Sequence, residues 1–85
     1  MEINRNPKEG DRVIARSNEN EPLMIGTLIH YEDVHNTYIP VIESNGVRWW
    51  HMGIVVKHTD ELEQWLSDMT PKQQWNALSM NYKLE

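Results

Sequence analysis

Cysteine and phenylalanine are both missing from this chain of 85 residues. Without cysteine there is no disulfide, no thiol nucleophile and no cysteine-ligated zinc or iron–sulfur site. Long apolar runs are lacking too, since none approaches the roughly 20 residues that span a bilayer. The first residues, Met1 to Pro7, include no apolar signal-peptide region. From these absences we expect a cytoplasmic protein with no membrane association.

Positive charge is scarce as well. The chain has 13 acidic and 8 basic residues, which gives a formal net charge of −5. Nonspecific nucleic-acid binding needs a basic face that displaces counterions, so the composition argues against it. The aromatic residues are 4 Trp and 3 Tyr. Their rings have a polar end, which suits half-buried positions and binding surfaces as well as cores.

The length predicts one domain over residues 1–85. We expect residues 1–9 to form a polar arm that adds an edge through Ile3, residues 10–58 to form a β region, and residues 59–82 to form a helical tail. The last two residues, Leu84-Glu85, have the composition of a cloning scar and carry no weight in the interpretation.

The strongest local signal is a hairpin in the middle of the chain. Asn45-Gly46 lies between two β-prone runs, residues 37–44 and 47–52. Asn-Gly is typical of the type I′ turn, because that turn needs a positive φ at both central residues. Pro40 in the first run cannot donate a hydrogen bond to a sheet, so we expect it at an edge, a bulge or an unpaired stretch.

Three further β-prone runs complete the pattern, at residues 12–16, 23–31 and 54–56. Gly26 interrupts the second run, and a glycine inside a strand indicates a bulge, a bend or a close backbone approach. Residues 32–36 are predicted to form a turn. Five strands separated by turn signals at this spacing predict a small sandwich or barrel.

Two short helices are predicted after the strands. Asp60 is expected to cap the first helix, with Glu63 three residues later for a reciprocal bond. Thr70 is expected to cap the second, with Pro71 at its first position and Gln73 completing the capping box. The apolar stripes of the two helices are Leu62, Trp65, Leu66 and Met69, and Trp75, Leu78 and Tyr82. Helices this short are unstable alone, so both stripes must pack on the β region.

Four segments follow a pattern shared by small barrels: Gly10-Asp-Arg-Val-Ile-Ala15, Ile25-Gly-Thr-Leu28, Tyr38-Ile-Pro-Val-Ile42 before the Asn-Gly turn, and Ile54-Val-Val56. Over residues 10–58 this order resembles an SH3-like barrel of the Tudor or KOW type. The resemblance implies a mainly β fold, a five-stranded SH3-like antiparallel barrel followed by two short C-terminal helices. It hardly constrains function, because such folds carry many functions. With its helical tail, the acidic barrel also resembles small phage-encoded proteins of unknown role.

Trp49 and Trp50 are neighbours in a predicted strand, so their side chains point to opposite faces. One of them is expected in the core. The other is either covered by the helical tail or exposed beside Tyr31 or Tyr38, where it would be a binding hot spot.

The inward face of the strand before this pair is also left open. The pattern allows either Tyr38 and Ile42 or Ile39 and Val41 to face inward, because the turn that follows contains an extra residue.

Three arginines on predicted strands, Arg12, Arg16 and Arg48, have two interpretations. In the first, they form a basic patch beside the tryptophans. Phosphate contacts from this patch, combined with stacking of bases on the tryptophan rings, would favour binding of single-stranded nucleic acid. Alternatively they pair across strands with Glu43 or Glu21.

The sequence contains no recognisable catalytic or metal-binding constellation. It has no Gly-x-Ser-x-Gly elbow and no glycine-rich phosphate loop. The four histidines, His30, His35, His51 and His58, lack the His-x-His or helical His-x3-His spacing of zinc ligands. We expect ordinary surface or strand histidines, and neither a catalytic residue, a metal nor a cofactor.

Taken together, the sequence predicts a non-enzymatic interaction module that binds a protein or peptide through an aromatic face. The predicted binding residues are Tyr31, Tyr38, Arg48, Trp49 and Trp50. Two alternatives remain open: a nucleic-acid-associated accessory domain, and a structural or assembly subunit that oligomerises.

Overall fold

The computed structural model describes residues 2–80. Within them, five strands precede two helices: β1 (Arg12–Arg16), β2 (Met24–Val34), β3 (Thr37–Ser44), β4 (Val47–Trp50), β5 (Ile54–Lys57), α1 (Asp60–Ser67) and α2 (Pro71–Met80). The strands form one antiparallel sheet in the order β4-β3-β2-β1-β5. This confirms the predicted mainly β fold with two short C-terminal helices. Tyr82 and Leu84-Glu85 lie outside the described residues.

The predicted hairpin and its Asn45-Gly46 turn are both present in the structure. Ser44 pairs with Val47 across the turn. The two residues between them, Asn45 and Gly46, have φ angles of 55° and 80°. Both central positions are therefore left-handed, as a type I′ turn requires.

The preceding hairpin is built in the same way, and here the prediction of a turn over residues 32–36 was too long. β2 continues to Val34, which pairs with Thr37. Only His35 and Asn36 form the turn, with φ angles of 53° and 64°. Cross-strand pairing with the β-prone run of β3 extends the ladder through polar residues that alone disfavour a strand.

Pro40 occupies a position where its missing N–H does no harm. It pairs with Tyr31 of β2, while its carbonyl on the other side accepts a hydrogen bond from the His51 amide at 2.9 Å. β4 has ended one residue earlier, at Trp50. Because the N and C=O of a strand residue point to the same side, the missing donor lies past the end of the β4 ladder, as predicted for an unpaired stretch.

Gly26 is required by a close approach. A Cβ atom there would lie 2.6 Å from the carbonyl oxygen of Glu43 and 2.9 Å from a side-chain carbon of Ile42. The β-bulge of this strand lies further on, between Leu28 and His30. A bulge changes which residues share a face, so it sets the direction of every side chain from His30 to Val34.

Buried residues lie on both faces of the sheet. One cluster contains Val13, Ala15, Leu28 and Ile42. A second cluster joins Ile14 and Val56 of the strands to Leu62, Leu66 and Leu78 of the helices. Because neighbouring strand residues point to opposite faces, the helices cover the face of β1 that the first cluster does not use. The predicted packing is confirmed for Leu62, Leu66, Met69 and Leu78. It is wrong for Trp65, which is 38% exposed.

The cap of α1 is shifted by one residue from the prediction. Thr59 Oγ1 accepts a hydrogen bond from the Leu62 amide at 3.0 Å, so Thr59 and not Asp60 is the N-cap. Glu63 lies 2.6 Å from Nε2 of His58. The prediction failed because Thr59 and Asp60 are both good capping residues, and the backbone direction leaving β5 decides between them.

The capping box of α2 is confirmed. Thr70 donates its amide to Oε1 of Gln73 at 2.9 Å, and the Gln73 amide returns a bond to Thr70 Oγ1 at 3.2 Å. The next residue, Gln74, connects three elements. Its Oε1 accepts from a guanidinium nitrogen of Arg16 at 2.8 Å, and its Nε2 donates to the Leu66 carbonyl at 3.0 Å.

The N-terminal arm runs beside β5 without forming a strand of its own within residues 2–9. The Asn4 carbonyl accepts from the Lys57 amide at 2.9 Å, and Ile3 packs against the helix-covered cluster. The predicted edge contact is thus made by one backbone bond and one apolar side chain.

Candidate functional site

Two tyrosines on neighbouring strands line one side of a cleft. Tyr31 lies opposite Pro40 and Tyr38 lies opposite Asp33, which makes the tyrosines diagonal neighbours on the same face of the sheet. Tyr38 is 73% exposed. The cleft has a volume of about 470 Å³ and is lined by Asn6, Pro7, Tyr31 and Tyr38. We call it the tyrosine cleft.

The N-terminal arm holds one wall of this cleft in place. The Tyr31 hydroxyl donates a hydrogen bond to the Pro7 carbonyl at 3.0 Å, and Pro7 is buried. Partial burial raises the pKa of Tyr31, and the negative charge of Asp11 raises it further. The Tyr31 ring is therefore a neutral, fixed surface, while Tyr38, its diagonal neighbour on the next strand, is exposed.

A smaller pocket lies on the other side of Tyr38. It has a volume of about 180 Å³ and is lined by Thr37, Tyr38, Ile39, Pro40, His51, Met52 and Gly53. We call it the His51 pocket. Met52 is 77% exposed, whereas His51 is only 2% exposed. Tyr38 thus separates two depressions, one bounded by the arm and one by the chain after β4.

His51 is buried, which the expectation of an ordinary surface or strand histidine did not foresee. The chain turns inward after β4 because Gly53 lies against the backbone of Arg16 and Ser17, where a Cβ atom would collide with the Arg16 carbonyl. Burial lowers the pKa of His51, and hydrogen bonding to the backbone at Arg16 and Ile54 partly offsets this. The imidazole Nε2 has no hydrogen-bond partner within residues 2–80.

Trp50 lies on the opposite face of the sheet from the two tyrosines, because it pairs with Val41. It is 52% exposed. Its indole N–H donates to Oε1 of Glu32 at 2.5 Å, and Nε2 of His30 lies 3.2 Å from the other oxygen of Glu32. Hydrogen bonding to His30, and then to Trp50, lowers the pKa of the Glu32 carboxyl group.

Of the two predicted arrangements for the outer tryptophan, covered by the helical tail or exposed, the structure has the exposed one. The tail helices pack against Ile14 and Val56, far along the sheet order from β4. Trp49, which pairs with Ile42, is only half-buried, so the prediction that one tryptophan of the pair lies in the core is wrong. Trp50 is therefore the outer residue of the pair.

The predicted binding residues fall into two groups. Strand alternation places Tyr31, Tyr38 and Trp49 on one face, and Arg48 and Trp50 on the other. The structure brings Tyr31 and Tyr38 together at one cleft. It does not bring Trp50 to them.

The three strand arginines form no common patch. Arg16 is fully buried, and burial lowers its pKa while the charge of Glu21 raises it. Arg48 lies 3.6 Å from Glu43, its cross-strand partner. The Arg48–Glu43 contact agrees with the cross-strand alternative, whereas Arg16 donates to Gln74 of α2 instead. The burial of Arg16 removes it from the nucleic-acid surface that the sequence allowed.

A cluster of possible metal ligands appears at the start of α1. One donor atom from each of His58, Asp60 and Glu63 lies within 4.8 Å of the others. Acidic residues in the first turn are favoured by the helix dipole, and Glu63 already contacts His58. The cluster thus has a structural explanation. The histidine-pair spacings typical of zinc ligands do not include it, although the sequence shows His-x-Asp-x-x-Glu at the helix start.

Among residues 2–80, no helix is long and apolar enough to cross a membrane. No protein-family model matches the chain, and neither a curated protein nor a solved structure matches it. The surface around Tyr38, with the tyrosine cleft on one side and the His51 pocket on the other, is the candidate functional site.

Proposed function

We propose that this protein is a non-enzymatic interaction module that binds an extended segment of a partner protein across Tyr38. The observation that carries the proposal is the exposure of this ring, 73%, between two depressions. A large exposed aromatic side chain flanked by pockets is typical of a binding hot spot. A tyrosine also offers wide contact area at a low entropy cost, because only two torsions must be fixed.

Charge indicates the kind of segment that fits. Asp33 lies directly opposite Tyr38, and Asp11 lies close enough to Tyr31 to raise its pKa. The chain as a whole carries a net charge of −5. Basic residues flanking the docked segment would therefore be attracted to this surface, and acidic ones repelled.

The same proposal includes the finer fold. β1 pairs with β2, β2 with β3 and β3 with β4, and β5 returns to pair with β1. This order supports an SH3-like small barrel. In such a barrel the surface around Tyr38 would lie at the hairpin end of β2 and β3, away from the helical tail.

A peptide-display experiment tests the proposal. A random peptide library is selected on the purified full chain, and enriched peptides are measured against wild type, Tyr38→Ala and Val47→Ala. Val47 is the matched control because it is an exposed apolar residue on another strand. We expect Tyr38→Ala to weaken binding at least about tenfold and Val47→Ala to leave it unchanged. Failure to enrich any peptide, or equal binding by both variants, would contradict the proposal.

A second candidate function, self-assembly, is favoured by one observation. β4 ends the sheet order and carries two exposed apolar side chains, Val47 and Trp50. An edge strand with exposed apolar residues is a template for pairing with another chain. Sedimentation of wild type and Trp50→Glu distinguishes this candidate, since a wild-type dimer that the variant abolishes would favour assembly through β4.

A further inference from the structure

We infer that the His51 pocket is the anchoring subsite of this surface, and that it takes one phenol-like side chain of the partner, whose hydroxyl donates a hydrogen bond to Nε2 of His51. The inference rests on the proposed function, because it specifies what the surface around Tyr38 recognises. It is carried by an unpartnered buried atom and by the shape of the pocket that His51 lines.

The unpartnered atom is the first step. His51 is 2% exposed, and its Nε2 finds no hydrogen-bond partner within residues 2–80. Nearly all buried polar groups in folded proteins are hydrogen-bonded, so each exception calls for a water, an ion or a ligand. His51 is also one of the residues that line the pocket beside Tyr38. The unmet bond and the pocket wall therefore belong to the same residue.

The second step is the role that Nε2 can play. Hydrogen bonding to the backbone at Arg16 and Ile54 favours the protonated ring, which means that the ring donates to backbone carbonyls. Nε2 has no hydrogen-bond partner within residues 2–80, so we assign the ring proton to Nδ1, which leaves Nε2 of the neutral imidazole as an acceptor. The incoming group must accordingly be a hydrogen-bond donor.

The third step is size and access. A volume of about 180 Å³ accommodates one ring, and Ile39 and Pro40 supply apolar walls. Nε2 is covered in the free protein, so a rim residue must move for the ligand to reach it. We assign this movement to Met52, because it lines the same pocket, is 77% exposed and has an unbranched side chain that adapts readily. A phenol combines the apolar ring that fits the walls with the donor that Nε2 lacks.

The test compares three probes on the 85-residue chain by NMR: p-cresol, toluene and 4-methylanisole. They share the ring and methyl group, but only p-cresol carries a donor. We expect p-cresol to shift the His51 Nε2 resonance and the amides of Tyr38 and Gly53 saturably. Toluene and 4-methylanisole should bind at least about tenfold more weakly, because a site built around a hydrogen bond rejects analogues that lack it.

A variant of His51 adds a second comparison between p-cresol and toluene. His51→Phe keeps a ring and removes Nε2, so its preference for p-cresol over toluene should disappear. If this variant fails to fold, the preference of the wild-type protein for p-cresol over toluene is by itself the test of the inference. Equal binding of p-cresol and toluene, no shift at Nε2, or an Nε2 that exchanges only with bound water would overturn the inference.

The two proposals fail separately. If displayed peptides require Tyr38 but p-cresol does not reach His51, the subsite is wrong and the interaction module stands. If p-cresol binds selectively but no peptide is enriched, the partner-binding function is wrong and the pocket is a small-molecule site.

Discussion

His51 is a titratable residue that is almost fully buried, and its burial changes its pKa. Its pKa lies below the usual value of 6.5, mainly because burial disfavours the charged ring. A lowered histidine pKa means that the folded state binds its proton later than the unfolded state as the solution is acidified. The folded protein therefore loses stability relative to the unfolded chain over that interval.

We expect the free energy of unfolding to fall as the pH drops below about 6.5, and the loss from His51 to level off once the pH is below its folded pKa. Urea unfolding at several pH values measures this. The exposed His35 offers the control: His35→Asn should keep the pH dependence, whereas His51→Gln should lessen it. A wild-type stability that does not change between about pH 7 and about pH 5 would contradict the expectation.

Gly26 is a second residue whose role is set by a single close approach. Gly26→Ala should lower the free energy of unfolding by about 1–3 kcal/mol, because the new methyl group meets the backbone of Glu43, which cannot rotate away. Chemical denaturation measures the loss. Thr27→Ala, one residue along the same strand, should cost less, and an equal loss in both variants would show that the contact with Glu43 is unimportant.

At the scale of elements, the two hairpins are joined by the same kind of turn with different residues. Asn45-Gly46 is the preferred pair, while His35-Asn36 places two non-glycine residues at positive φ. A residue with a side chain in that conformation carries strain. The β2–β3 turn is therefore the place where the sheet has stability to gain.

We expect Asn36→Gly to raise the free energy of unfolding by about 0.5–1 kcal/mol, because glycine adopts the left-handed conformation without strain. Thermal unfolding measures the gain. Gly46→Ala supplies the opposite change: a Cβ there would meet nothing within 4 Å, so its expected loss comes from φ alone. If Asn36→Gly were destabilising, the side chain of Asn36 would have a stabilising role that the turn geometry does not explain.

At the scale of the whole molecule, the helical tail and the sheet are joined by apolar packing around Ile14 and Val56 and by a polar connection through Arg16 and Gln74. Arg16 is fully buried, and its guanidinium donates to Gln74 of α2. Gln74 in turn holds the Leu66 carbonyl at the end of α1. A buried cation depends on such partners, since leaving it without one costs its full desolvation.

Gln74→Ala should therefore destabilise the protein by about 1–3 kcal/mol. Asn76→Ala, at an exposed position of the same helix, is the control and should be close to neutral. The double variant Arg16→Met with Gln74→Leu should recover much of the loss, because replacing both partners by apolar groups removes the unmet charge. A double variant that is less stable than Gln74→Ala would argue against this account. Urea unfolding measures all three.

The local signals in the sequence were enough for most of the elements. Asn45-Gly46, Pro40 and the Thr70–Gln73 capping box act over a few residues, so their structures follow from their own chemistry. The same reasoning failed by one residue at Thr59, where two capping residues stand side by side. The predicted end of β2 was also too early, because the polar residues at the end of this strand are held in place by pairing with β3.

The sequence by itself determined the number and order of the strands, the two short helices and the acidic, cysteine-free character of the surface, since each depends on local pattern or composition. Only the tertiary structure decided that Trp50 is exposed on one face while Tyr38 stands on the other, and that His51 and Arg16 are buried. The physical reason is long-range. The contact of Gly53 with the Arg16 backbone joins segments that are distant in the chain and turns His51 inward. The packing on the two faces of the sheet, together with the pairing of Trp50 with Val41, decides which tryptophan is exposed.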